Sequence, residues 1–193
     1  MKRWDQAHWR LPAAWLLALW LAWLPGARAG QPAAAGASVR LYFPNERLNP
    51  DSSDCSAVFP VERPLAPAQR SAPAQVALRQ LLAGPTAEER AAGYHSAFSA
   101  ASADLLLRLK IGRGTAYVDL ADFRTRLPGS SSSCGAAEFR AQIDQTLRQF
   151  SGISRVRYAI EGDPRLFNDW MGEPCDRANG YCSPQPFRPK GSR

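Results

Sequence analysis

The 193-residue chain predicts an α+β fold: a single domain with an antiparallel or mixed sheet of about five strands and two main helices on one face. Three observations lead there. Short segments alternate apolar and polar residues at period two. Two longer segments place apolar residues at helical spacing. The elements run strand, strand, helix, hairpin, helix, strand, without the strict alternation that a doubly wound sheet needs.

Val39-Arg40-Leu41-Tyr42-Phe43 reads as the first, half-buried strand. Pro44 to Ser56 is a loop rich in Asn, Asp and Ser. Ala57 to Arg63 is strand-like, but Pro60 confines it to an edge or a bulge. Pro73 opens a helix whose apolar face includes Val76, Ala77 and Leu81, and Gly84-Pro85 ends it. Thr86 and Glu89 have the spacing of a capping box, so a second, short helix runs to about Ala92. Leu105, Leu107, Leu109 and Ile111 face one way along the next strand, opposite Leu106, Arg108 and Lys110. Gly112-Arg113-Gly114 turns the chain into a return strand with Ala116, Val118 and Leu120 inward and Tyr117 and Asp119 outward. Ala136 to Phe150 is the best helix, with Phe139, Ile143, Leu147 and Phe150 on one stripe and Gly152 as its cap. Arg155 to Glu161 is the last strand, and the chain after Gly162 reads as loop.

At its start, Lys2, Arg3 and Arg10 precede an uncharged run from Leu11 to Leu24, and Ala27-Arg28-Ala29 follows. Basic start, apolar middle and A-x-A end describe a secretory signal peptide cut after Ala29. The run is short for a mature membrane span, so none is expected after cleavage. Residues 30–37 form a flexible leader, 38–170 the folded domain, and 171–193 a disulfide-closed loop with a basic, Pro-rich tail that frays from Pro184 onward. This places the protein in the periplasm or outside the cell.

The cysteines agree with export. Cys55, Cys134, Cys175 and Cys182 all lie in the mature chain and suit two disulfides, with three connectivities open. Cys175 and Cys182 flank the turn signal Asn179-Gly180 and are the easiest pair to close; Cys55 and Cys134 then join two distant loops. No C-x-x-C pair occurs and the mature chain has one histidine, His95, so neither a metal site nor a redox pair is expected, and no cofactor.

Catalytic chemistry finds little support. His95 is the single candidate base for a nucleophile, and a lone loop histidine is ordinarily a solvated one. Glu88-Glu89 sits in a helix first turn, where acids complement the dipole. No G-x-S-x-G, phosphate-binding loop or H-E-x-x-H occurs. The reading is therefore a non-enzyme.

The string Ala77-Leu78-Arg79-Gln80-Leu81-Leu82-Ala83-Gly84-Pro85-Thr86-Ala87-Glu88-Glu89 resembles the signature of the GerMN domain, the sporulation and spore-germination module. Val39 to Phe43 resembles its opening strand, and Val61-Glu62-Arg63 the next strand with its arginine. Gly114 to Leu120 resembles the family's hairpin return, Gln142 to Phe150 its second helix, and Val156 to Gly162 its closing strand. The resemblance implies a compact exported α/β module, often carried on a lipoprotein, with no established catalytic residues. It also implies likeness to the ring-building domains of envelope-spanning assemblies, and hence protein–protein assembly. The chain departs from the pattern in having one copy of the module and no lipid-anchor cysteine after the apolar run.

Alternation places Arg40 and Tyr42, Arg108 and Lys110, Tyr117, Arg155 and Arg157 opposite the apolar set. If those strands share one sheet, its open face is basic and tyrosine-bearing, suited to an acidic partner. The formal net charge of +7 counts four basic residues of the signal segment, so the mature domain is only mildly basic and nucleic acid is not expected as a partner. The expected function is a binding or assembly module with an envelope protein partner. The alternative is an envelope protein that binds an acidic cell-wall polymer or hydrolyses it.

Overall fold

In a computed structural model that describes residues 37–173, 175 and 182–188, the first alternating segment is β1 (Ser38–Phe43), which buries Val39, Leu41 and Phe43 and leaves Arg40 exposed. The expected signal peptide over 1–29 lies outside the described residues, as do residues 30–36 of the leader. β2 (Phe59–Pro64) pairs antiparallel with β1, setting Arg40 opposite Glu62 and Tyr42 opposite Pro60. The two strands form a sheet of their own, so Pro60 lies on an outer strand as expected.

α1 (Pro73–Leu82) has Pro73 in its first turn and buries Ala74, Ala77, Leu78, Leu81 and Leu82. The short α2 (Ala87–Ala91) has the expected capping box: Glu89 N–H donates to Thr86 Oγ1 at 3.2 Å, and Thr86 N–H donates to the Glu89 carboxylate at 2.7 Å. β3 (Leu106–Gly112) and β4 (Thr115–Leu120) form the hairpin through Arg113 and Gly114, both at the positive φ that a two-residue turn requires. α3 (Ser133–Arg148) begins slightly earlier than its apolar stripe, because Ser132 caps it by accepting from Gly135 N–H. β5 (Arg155–Ile160) runs parallel to β4, giving a mixed sheet in the order β3-β4-β5.

The segment after Gly162 is not all loop. α4 (Pro164–Trp170) follows, with Asp163 as its cap and Pro164 at its first position. It packs against β5 and buries Phe167, whose ring stacks on Tyr158 at 4.6 Å between centroids. A seven-residue helix offers too short a stripe to show a period, which is why the segment reads as loop in the sequence.

The fold is α+β, and the five strands among the described residues fall into two sheets instead of one. The cause is α3. Arg40 N–H donates to Gln149 Oε1 at 2.9 Å and Gln149 Nε2 donates to the Arg40 carbonyl at 2.6 Å. Tyr42 N–H donates to Thr146 Oγ1 at 3.1 Å. Helix side chains thus satisfy the peptide groups of β1 that a further strand would pair. α1 and α3 pack on each other and on β1, while α1 also reaches β3 and α3 reaches β5. One continuous apolar cluster runs through both sheets and the helices between.

β3 also departs from simple alternation. Its register slips between Leu106 and Arg108: Leu106 faces Leu120 and Arg108 faces Asp119. Leu107 is left over and is 53% exposed, while Leu105 and Leu106 are both buried. A bulge of this kind lets two consecutive leucines enter the core and still turns Arg108 and Lys110 outward. No helix among the described residues is long and apolar enough to cross a membrane.

Candidate functional site

The Gly84-Pro85-Thr86 string is a structural lock. Gly84 has φ of +78°, and a Cβ there would stand 2.3 Å from the Phe98 carbonyl oxygen, so no other residue fits. Arg63, reaching over from β2, donates through Nε to Glu89 Oε1 at 2.9 Å and through Nη2 to Glu89 Oε2. The same guanidinium donates to the carbonyls of Gln80 and Gly84 and lies over the Phe43 ring. Glu89 therefore holds both the α2 cap and the Arg63 fork. Removing either charge would strand the other in a nearly dry site, at about 3–5 kcal/mol.

The basic constellation is brought together in part. Across the three-stranded sheet, Arg108 faces Asp119, Lys110 faces Tyr117, Tyr117 faces Arg157 and Thr115 faces Arg155. Arg108, Lys110, Tyr117, Arg155 and Arg157 thus share one face. Arg40 and Tyr42 do not, because β1 lies in the other sheet, where Glu62 stands opposite Arg40. The premise of a single sheet fails for these two residues, and the reason is the edge closure by Gln149.

That face is also partly covered. The tail was expected to fray from Pro184, yet residues 182–188 lie across it as a strap. Phe187 is buried and meets Tyr117 edge-on at 5.7 Å between centroids. Arg108 Nη1 donates to the Phe187 carbonyl, and Lys110 Nζ lies 3.5 Å from that of Pro186. A cleft of about 470 Å³ opens beside the strap, lined by Arg108, Asp119, Glu161, Arg165 and Arg188 among others. Asp119 is buried and accepts from Gly162 N–H at 2.7 Å; its burial pushes the carboxyl above the ordinary range. Phe187 is one aromatic residue in a polar tail, a signal too sparse to predict docking.

A second cleft, of about 260 Å³, lies between α3, the outer edge of β5 and α4. Arg140, Asp144 and Arg148 line it from α3, Arg155 and Arg157 from β5, and Asn168 from α4. Tyr158 OH donates to Asp144 Oδ1, and Arg148 Nη2 donates to Asp144 Oδ2 at 2.9 Å. Burial raises the Asp144 carboxyl, against the pull of the Tyr158 bond and Arg148. Burial, with the Asp144 charge behind it, drives the Tyr158 hydroxyl far above its usual range. Arg140 pairs with Glu173 through Nη1 and lies over the Phe167 ring. The signal missed in the sequence is the one-stripe spacing of Arg140, Asp144 and Arg148, which reads as a solvated helix face until α4 is known to stand beside it.

His95 lines two further hollows with Glu138, one of them beside Cys55 and Cys134. The serines nearby are committed elsewhere. Ser96 donates to Gln142, Ser130 to the Leu127 carbonyl and Ser132 to the Gly129 carbonyl. Among the described residues no serine hydroxyl is hydrogen-bonded to His95. Nor does any group of three or more His, Cys, Asp or Glu side chains there suit a metal ion.

The four cysteines form Cys55–Cys134 and Cys175–Cys182, with Cα separations of 5.1 and 5.4 Å. This is the connectivity in which the turn-flanking cysteines join each other. The first bridge ties the loop between β1 and β2 to the first turn of α3.

These features define a disulfide-bonded α+β module with a basic sheet face. The sporulation and spore germination family, Germane, matches residues 40–166, and the chain belongs to it. Among solved structures, the first GerMN domain of the sporulation protein GerM from Bacillus subtilis aligns at 19% identity and a TM-score of 0.44, over 65% of this chain and 84% of that one. The tandem GerMN domains of the same protein align at 18% identity and a TM-score of 0.43, over 65% of this chain and 39% of that one. No curated protein matches the chain significantly.

Proposed function

We propose that the protein is an exported, non-catalytic assembly module of the bacterial envelope that docks an acidic protein partner through its three-stranded sheet. One observation carries this reading: the strand register aligns Arg108, Lys110, Tyr117, Arg155 and Arg157 on one face, and burial withdraws Asp119, the acid among them, from its surface. Tyrosine and arginine are among the residue types enriched at the energetic centres of protein interfaces. Two disulfides and membership of the sporulation and germination family support export and assembly. The commitment of the serines around His95 to backbone and amide partners supports a role without turnover.

Lys110 and Arg155 are exposed, so Lys110→Glu with Arg155→Glu reverses the field of the face without touching the core. Pull-down from envelope extract tests the reading. The double variant loses the partner that the parent recovers; equal recovery by both overturns the proposal. Peptidoglycan fragments incubated with the parent yield no product.

A further inference from the structure

We propose that the cleft between α3, β5 and α4 receives a carboxylate of an extended acidic peptide, gripped by the Nε–Nη2 edge of Arg140. This deepens the docking proposal and rests on it for the identity of the partner as a protein. Three observations carry it.

The first is an unmet demand. Arg140 Nε and Nη2 are buried and meet no hydrogen-bond acceptor among the described residues. Buried donors on a charged group are costly unless an acceptor comes to them. The second is the shape of that demand. Nε with Nη2 is the edge by which Arg63 holds the Glu89 carboxylate, and by which Arg124 holds that of Asp122 at 3.0 and 2.7 Å. The planar fork matches a carboxylate with two parallel bonds. Arg148 and Arg155 add positive charge around it, and Arg157 is already engaged. Asp144, the acid inside, is held by Tyr158 and Arg148.

The third is a backbone edge. In a parallel ladder, alternate residues face the neighbouring strand. Arg155 N–H donates to Gly114 and Glu161 N–H to Leu120, so the peptide groups of Val156 and Tyr158 point away from β4, toward the cleft. A strand laid along β5 can take main-chain bonds there and place one acidic side chain at Arg140. Glu173, the acid now on Arg140 Nη1, is 62% exposed and acts as an internal competitor that the incoming carboxylate displaces.

The test is calorimetric titration of the full chain with a short, strand-forming synthetic peptide carrying one central aspartate. The asparagine counterpart, acetate and polygalacturonate serve as further ligands. Arg140→Gln and Arg148→Gln weaken binding of the aspartate peptide, the former by about tenfold or more, as loss of a charged bidentate pair implies. Glu173→Gln tightens it. Glu46→Gln, the same charge change at an exposed loop residue, leaves it unchanged. The Arg140 Nε–H resonance shifts on titration of the unmodified chain, a readout that needs no variant to fold. The proposal is overturned by an unmoved resonance, by equal tightening in Glu173→Gln and Glu46→Gln, by equal affinity for the asparagine peptide, or by polygalacturonate or acetate binding as tightly as the peptide. Binding lost in Lys110→Glu but untouched in Arg140→Gln leaves the broader docking proposal standing and removes this one. The reverse result retains the cleft, and the pull-down then decides the docking face by itself.

Discussion

Glu138 stands on α3 beside Cys134 and shares its hollow with His95. Burial lifts its carboxyl above the ordinary range, and His95 opposes the lift. A carboxyl that binds its proton more tightly folded than unfolded subtracts stability once it ionises. The loss begins near the unfolded value, about 4.3, and is complete when pH passes the raised folded value. Glu138→Gln keeps the shape and removes the charge. Urea midpoints from pH 4 to 7 are expected to fall less steeply for Glu138→Gln than for the parent, and the variant is expected to be the more stable at pH 7. Parallel profiles would show that Glu138 is adequately solvated. Asp122 has the opposite sign: its Arg124 bonds hold it at about 2, so its contribution is present at neutral pH and is lost as pH falls toward that value.

At the scale of elements, the bulge in β3 makes the sharpest claim. Strict alternation puts Leu105 and Leu107 on the same buried face. The structure buries Leu105 and exposes Leu107. Leu105→Ala is expected to cost about 2–5 kcal/mol, as core truncations do, and Leu107→Thr less than about 0.5 kcal/mol. Chemical denaturation of the two variants reads both. Similar losses would mean that Leu107 is packed in solution and that the bulge is wrong. The alternation was still informative: it located the strand, its turn at Arg113-Gly114 and the outward set of Arg108 and Lys110. A one-residue slip is invisible to it because Leu105, Leu106 and Leu107 are chemically identical. α1, α2 and β1 were legible for a different reason. Their signals are local, in Pro73, the Thr86–Glu89 box and the Val39-Leu41-Phe43 stripe. α4 and the strap at Phe187 depend on surfaces made by distant segments.

For the whole molecule, the two bridges should differ in weight. Cys55–Cys134 closes a separation of 79 residues and Cys175–Cys182 one of 7. Chain entropy assigns them about 4.5 and about 2.4 kcal/mol, as upper values. Paired Cys→Ala variants compared by urea unfolding are expected to follow that order, and a reversed order would mean that unfolded-state chain entropy is not what the bridges contribute. The seven-residue basic constellation shows where sequence reasoning stops. The strand register sets its five members on β3, β4 and β5 on one face, because beyond the bulge at Leu107 the paired strands keep their period. Arg40 and Tyr42 were not, because the contact that separates them, between Arg40 and Gln149, joins positions 109 residues apart.

That single glutamine has a consequence for how the protein fails. Its amide and the Thr146 hydroxyl seal the open backbone of β1 only while the helix is docked. Were the end of α3 to melt, a row of unused peptide groups beside Val39, Leu41 and Phe43 would be bared, a template on which identical chains stack. Under stress this protein should be lost to fibrous polymerisation through its first strand before it unravels as a monomer.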